Sequence, residues 1–266
     1  MIGVSQFRGL MANRQVVRTL VERDLRVRYA GSVLGWVWTV LDPLLMALIY
    51  LVVFTVIFQA RRGGHQPYFL HLVTGLFLWQ WFAQNMTETS RALLSEARLV
   101  RSANLPRELW VVRVVLAKGV EFVLTLPVIA AFTIFYMITG QTKLHWTIVL
   151  LPVSLVLTFL LSVGIGMILA PVTVLVNDMA RVVRIVLRLG FYATPVLYSA
   201  DMAPPVLQKL LLFNPMSGIL ELFRSGFFKG EMNILSVSSA IVLTVILLFV
   251  GSIVFKRLEP AVLKEI

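Results

Sequence analysis

Between Leu144 and Asn177 the chain carries no Asp, Glu, Lys or Arg. A helix needs about 20 mainly apolar residues to cross the roughly 30 Å hydrocarbon core of a bilayer. In that setting every backbone polar group must be satisfied within the segment or against neighbouring protein. Such a run therefore belongs to a membrane span or to a large buried core, and composition decides between them. Hydrophobic types make up 59% of the chain and charged types 14%, against roughly 45–50% and about 25% in an average soluble domain. A chain of this kind cannot cover its apolar surface with itself, so lipid must cover much of it. The reading is an all-α integral membrane protein.

Six apolar runs are long enough to cross: 33–58, broken only by Asp42-Pro43; 66–87; 109–139, with Arg113, Lys118 and Glu121 at its inner boundary; 146–176; 182–200; and 234–255. The fourth exceeds one perpendicular crossing, and tilt or bending at Pro152, Pro171 or the Gly164/Gly166 pair would absorb the surplus. Residues 1–32 precede this single membrane domain (33–256), and 257–266 form a tail. With six spans, 18 of the 24 Lys and Arg fall on one side and six on the other. The positive-inside bias then puts both termini in the cytoplasm of a multi-pass protein of the cytoplasmic membrane.

Two stretches are amphipathic without spanning. Near the amino terminus Val16, Val17, Leu20 and Val21 recur at helical spacing among Arg14, Arg18, Glu22, Arg23 and Arg26. This predicts an interfacial helix whose arginines face lipid headgroups. Between 203 and 230, Asn214-Pro215 divides two short apolar pieces. Irregular backbone there has to be shielded by protein or line a wet cavity, so a re-entrant helical hairpin on the outer side is expected before the last span. The first 30 residues hold six arginines and no continuous apolar core, and no cleavable signal peptide is expected.

The sequence contains no engine. The phosphate-cradling pattern G-x-x-x-x-G-K-[ST] is absent. There is no cysteine, and His65, His71 and His145 lack metal-ligand spacing. Asp42 is the one acidic residue inside an apolar run, at the start of its span, so a proton relay or ion-coupled carrier has little to work with. The formal charge of +11 is dispersed between apolar runs as topology requires, which argues against nucleic acid. Catalytic and metal sites are not expected.

Arg181, Arg184 and Arg188 share a helix face by their spacing of three and four. They either anchor the inner end of a span or attract an anionic substrate headgroup such as a lipid diphosphate. Aromatics gather near the predicted boundaries, Trp79, Phe82, Phe191, Tyr192 and Tyr198 among them. An interfacial belt explains this. A pathway whose ring faces stack on sugars is the alternative.

A family resemblance then emerges. Arg23-Asp24-Leu25-Arg26-Val27-Arg28-Tyr29-Ala30-Gly31-Ser32-Val33-Leu34-Gly35, followed by Trp38 and Pro43, resembles the opening signature of type-2 ABC permeases of the polysaccharide exporter family, the membrane subunits for O-antigen, teichoic acid, capsule and galactan chains. The likeness continues through Gly75-Leu76-Phe77-Leu78-Trp79, Asn177-Asp178, Pro195-Val196-Leu197-Tyr198, Asn214-Pro215 and Phe255-Lys256-Arg257-Leu258-Glu259. It implies a homodimer bound to two copies of a separate cytosolic ATPase that holds ATP and Mg, no cofactor being expected in this chain. It also implies a coupling helix around Arg98, Leu99, Arg101, Asn104, Leu105, Pro106 and Arg107, which docks in that ATPase. Arg23, Asp24, Arg28, Tyr29 and Ser32 would then lie beside an entry portal for lipid-linked polysaccharide, and Asn214 and Pro215 in an outer gate. A permease for a small drug or lipid shares this architecture. A membrane-embedded glycosyl or phosphoryl transferase would need clustered interfacial carboxylates, which this reading does not find.

Overall fold

A computed structural model describes residues 13–29, 31–53, 67–102, 105–230 and 232–266. Among these residues the chain is mainly helical, without strands. The helices are α1 (Arg14–Tyr29), α2 (Trp38–Val52), α3 (Tyr68–Thr89), α4 (Ala97–Ser102), α5 (Glu108–Val123), α6 (Leu126–Ile138), α7 (Leu151–Leu175), α8 (Met179–Ala193), α9 (Pro205–Leu211), α10 (Pro215–Arg224) and α11 (Ile234–Glu265). Three stretches are each long and apolar enough to cross a membrane: Glu108–Ile138, Trp146–Leu175 and Ile234–Glu265. Helices α2, α3 and α8 occupy the expected first, second and fifth runs. Residues 54–58 of the first run, the start of the second, Arg61, Arg62 and His65 lie outside the described residues.

Several boundaries differ from the expected ones, each for a local reason. The third run steps out of helix at Leu124 and Thr125, because Pro127 in the first turn of α6 has no N–H to continue the ladder. The Thr125 hydroxyl donates to the buried Phe122 carbonyl at 2.7 Å. The fourth run absorbs its extra length at its beginning, as a tight helical turn over Trp146–Leu150, with Pro152 in the first turn of α7. The fifth run stops at Ala193 rather than 200. Thr194 precedes Pro195 and takes the extended backbone (φ −98°, ψ 143°) that a following proline favours. The last helix continues through the expected tail to Glu265.

Helix α3 is the axis of the bundle, buried along most of its length. Its Thr74, Gln80, Gln84 and Asn85 would be poorly placed against lipid, and protein surrounds it instead. The Asn85 side-chain amide donates to Ser162 Oγ of α7 at 3.0 Å. Trp81 stacks on Phe122 of α5 at 4.6 Å between ring centroids, and Phe122 meets Phe223 of α10 edge-on at 6.3 Å. The most extensive helix pair is α7 with α11. Gly164 marks close approach here, a Cβ on it lying 2.7 Å from the backbone nitrogen of Leu248, while Gly166 makes room for Val111 of α5 and Thr89 of α3.

A second, smaller cluster closes one end of the bundle, joining Leu93, Val100, Trp110, Phe255 and Val262. This end also carries α1 and the Lys256-Arg257 pair, and is called the basic end below. The opposite end holds α9 and α10, which meet at a bend of 92°.

Candidate functional site

Helix α1 is attached to the bundle by charge. The Arg28 guanidinium donates to both Glu88 carboxylate oxygens at 2.7 and 2.6 Å, and its Nε lies 3.0 Å from Glu121. Lys118 Nζ reaches Glu121 at 2.8 Å and Glu88 at 3.1 Å. Further along, Arg113 bridges Asp24 at 3.1 Å and Glu96 at 3.3 Å, and packs over the Trp110 ring. Arg23 pairs with Asp24 and Glu96. Four cations and four anions therefore balance. The side chains of Arg113, Lys118 and Glu121 are nearly fully buried, a setting in which each charge must be paired and hydrogen-bonded.

This cluster corrects the expectation for α1. Arg23 and Arg28 turn to carboxylates of the bundle, not to lipid headgroups. Arg14, Arg18 and Arg26 are exposed, with Arg18 bonded to Glu22 at 2.9 Å. Of the portal residues, Arg23 and Asp24 pair with each other, while Arg28 joins the separate group of Glu88, Lys118 and Glu121. Ser32 accepts from the Gly35 N–H at 3.0 Å, and the side chain of Tyr29 lies outside the described ones. The opposite charges of Lys118 and Glu121, three apart in an apolar run, were the available signal. Their partners Glu88 and Arg28 were invisible to a search within single spans.

The segment expected to meet the ATPase rests on this cluster and on the smaller apolar one. Glu96 is held from below, Val100 and Leu93 face inward, and Arg91, Leu94, Arg98, Leu99 and Arg101 are exposed. Leu105, Pro106 and Arg107 are partly buried, with Arg107 3.6 Å from Glu259 of α11. Asn104 lies outside the described residues.

Helix α8 has three faces. Val183, Leu187 and Phe191 pack inward. Arg181, Arg184 and Arg188 form an exposed stripe, with Arg181 3.6 Å from Asp178. Val182, Ile185, Val186 and Leu189 are exposed beside it. The five aromatics singled out in the sequence gather around this helix. Trp79 lies 5.6 Å from Phe82 and 6.0 Å from Phe191, Phe191 lies 5.1 Å from Tyr192, and the Tyr198 hydroxyl donates to the Tyr192 carbonyl at 3.3 Å. Trp79 and Phe82 are buried while Tyr192 is 62% exposed.

At the far end, the sequence division at Asn214-Pro215 is the junction between α9 and α10. The Asn214 side chain accepts from Met216 N–H at 3.1 Å, capping α10, and Pro215 fills its first position. Arg224 closes α10 and is buried, donating to three backbone carbonyls. Its place between Phe223 and Phe227, three residues after Glu221 in a mainly apolar piece, was the signal that sequence reasoning passed over. Two cavities among the described residues measure about 20 and 10 Å³, near the space of one water molecule.

The sequence profile of the ABC-2 type transporter family matches residues 15–228. The chain is 31% identical over 240 residues to an O-antigen export system permease protein RfbA of Klebsiella pneumoniae, covering 90% of each. It is 30% identical over 254 residues to the RfbA of Myxococcus xanthus, covering 94% of this chain and 93% of that one. It is also 24% identical over 261 residues to the polysialic acid transport protein KpsM of Escherichia coli, covering 96% and 98%.

Proposed function

The chain belongs to the ABC-2 type transporter family as a permease subunit of the polysaccharide exporter kind, and from that premise we propose that it forms the transmembrane channel of an ATP-driven exporter of lipid-linked polysaccharide across the cytoplasmic membrane. Two copies pair, and two cytosolic ATPase subunits, carrying ATP and Mg, work them from the basic end. Six spans (α2, α3, α5 with α6, 146–175, α8 and α11) cross with both termini inside, and α9 with α10 re-enter from outside. The observation that carries this reading is the mounting of the 90–107 segment. Leu94 and Leu99 project among Arg91, Arg98 and Arg101, while Glu96 ties its base to Arg23 of α1 and Arg113 of α5, and Arg107 lies beside Glu259 of α11. A push on such a segment moves the spans rather than the loop alone.

The conduit forms between copies of the chain. On this reading α1 borders the entry portal, and Arg181, Arg184 and Arg188 attract the anionic headgroup of the carrier lipid. Trp79, Phe82, Phe191, Tyr192 and Tyr198 lie along the glycan path, and the hairpin around Asn214 and Pro215 gates the outer end. The test is co-purification with a soluble protein bearing G-x-x-x-x-G-K-[ST], followed by ATP turnover with and without lipid-linked glycan. Stimulated turnover by the complex is the expected result. Turnover by the permease alone, or indifference of the complex to glycan, would overturn it.

A further inference from the structure

We propose that Arg224 is a positioning residue: it holds the hairpin end shut by clamping the segment that leaves α8 onto α3 and α10, and export requires that grip to release. The inference rests on the exporter reading above. Arg224 Nη1 donates to the Pro195 carbonyl at 2.7 Å, and Nη2 donates to the Val196 carbonyl at 2.7 Å and the His71 carbonyl at 2.8 Å. One guanidinium thus joins the last residue of α10, the first turn of α3 and the link between α8 and α9. The room for it comes from Gly75. A Cβ at that position would overlap Nη2 and lie 2.8 Å from the Val196 carbonyl oxygen.

A second grip lies at the other end of α10, where the Asn214 amide donates to Thr194 Oγ1 at 2.8 Å. Both ends of one short helix therefore hold residues 194–196. That helix is itself a fixed post. Thr147 donates to the Ser225 carbonyl at 2.7 Å, Thr142 donates to the Phe227 carbonyl at 2.8 Å, and His145 N–H donates to the Gly226 carbonyl at 3.0 Å. Beyond the link, α9 is anchored through Leu211 at its end, while Val206 is 74% and Leu210 59% exposed.

The chemistry makes this arrangement two-state. Bonds from a charged donor are about twice as strong as neutral ones, and Arg224 is only 1% exposed, so withdrawing 194–196 breaks two charge-assisted bonds in a buried setting. Arg224 can keep His71 while releasing Pro195 and Val196. The outer end of α8 then separates from α3 without disturbing α10.

The chain has no native cysteine, which permits a direct test. Wild type, Arg224→Lys, Gly75→Ala and the pair Thr194→Cys/Asn214→Cys are placed in vesicles with the partner ATPase. Trapped carboxyfluorescein is followed without ATP, and glycan export with ATP. Lysine keeps the charge without the planar fork, and alanine at 75 displaces the fork. Both should leak roughly tenfold faster or more, the weight of one lost charge-assisted bond. The oxidised cysteine pair should stay tight and stop export until reductant restores it. Variants as tight as wild type, or an oxidised pair that exports at the wild-type rate, would sink the clamp. Should Arg224→Lys fail to insert, the cysteine pair decides, since it leaves Arg224 in place. If the wild-type complex exports no glycan while the single variants leak, the clamp stands and the exporter reading falls.

Discussion

Gly251 of α11 lies against the carbonyl of Gly164 in α7 so closely that a Cβ at residue 251 would overlap that oxygen. The obstruction is backbone on both sides, with Leu248 N only 2.7 Å from where a Cβ at 164 would sit, so no side chain can swing away. Gly251→Ala should therefore force the two longest apolar helices apart, at about 1–3 kcal/mol. A lowered thermal unfolding temperature in detergent or nanodiscs checks this. An unchanged value would mean that the helices already sit further apart in lipid.

Removing one partner of a buried ion pair costs about 3–5 kcal/mol, whereas exposed pairs contribute about 0–1 kcal/mol. Arg113 is 4% exposed and Arg23 is 38% exposed at the side chain. Arg113→Gln should accordingly loosen α1 far more than Arg23→Gln. Hydrogen exchange across residues 14–29 measures the difference, and equal protection in both variants would contradict it.

Acid should detach α1 late. Burial opposes the charged form of Glu88, but Arg28 and Lys118 outweigh it and hold this carboxyl, just past the predicted span, below its ordinary range. A depressed carboxylate contributes stability above its unfolded pKa and loses it as pH falls through the lower folded value. Proteolytic protection of α1 should therefore persist down to about pH 4.3, the free Glu value, and fail only below. Loss of protection already between pH 6 and 5, a window taken roughly from the same reference, would show that Glu88 is not the controlling group.

Charge reversal at Arg98 and Arg101 should separate docking from folding. Both are exposed, so membrane insertion should survive while ATPase co-purification and export fall by about tenfold or more. Arg107 is a poor choice for the same purpose because it lies beside Glu259. Full retention of the partner by the Arg98→Glu/Arg101→Glu variant would remove this segment from the interface.

On α8, Arg188→Gln should slow transport several-fold and leave insertion and melting temperature unchanged, because its side chain faces outward from the bundle. Arg181→Gln should weigh less, since Arg181 already lies beside Asp178. Export rates of the two purified complexes make the comparison. Equal wild-type rates would leave the stripe with an anchoring role alone.

What could be read without coordinates follows from the range of each interaction. Apolar runs, the Asn214-Pro215 break and the three-and-four spacing on α8 are local, and they reappear as helices, a capped junction and a stripe. The stop at Ala193 was also local, written in Thr194-Pro195, yet hydrophobicity alone carried the run past it. The pairs that seat α1 on the bundle and the Arg224 bond to His71 join residues between 60 and 153 positions apart, a distance at which one sequence offers no register. Arginine and glutamate were consequently read as surface anchors where they are interior fastenings.

Asp24 and Arg113 are 89 positions apart. At a synthesis rate of about 5–20 residues per second, the earlier of the two waits roughly 4–18 s for the later to be made. Helix α1 thus cannot take its ion-paired seat until α5 has been made, and it must linger on the membrane face meanwhile.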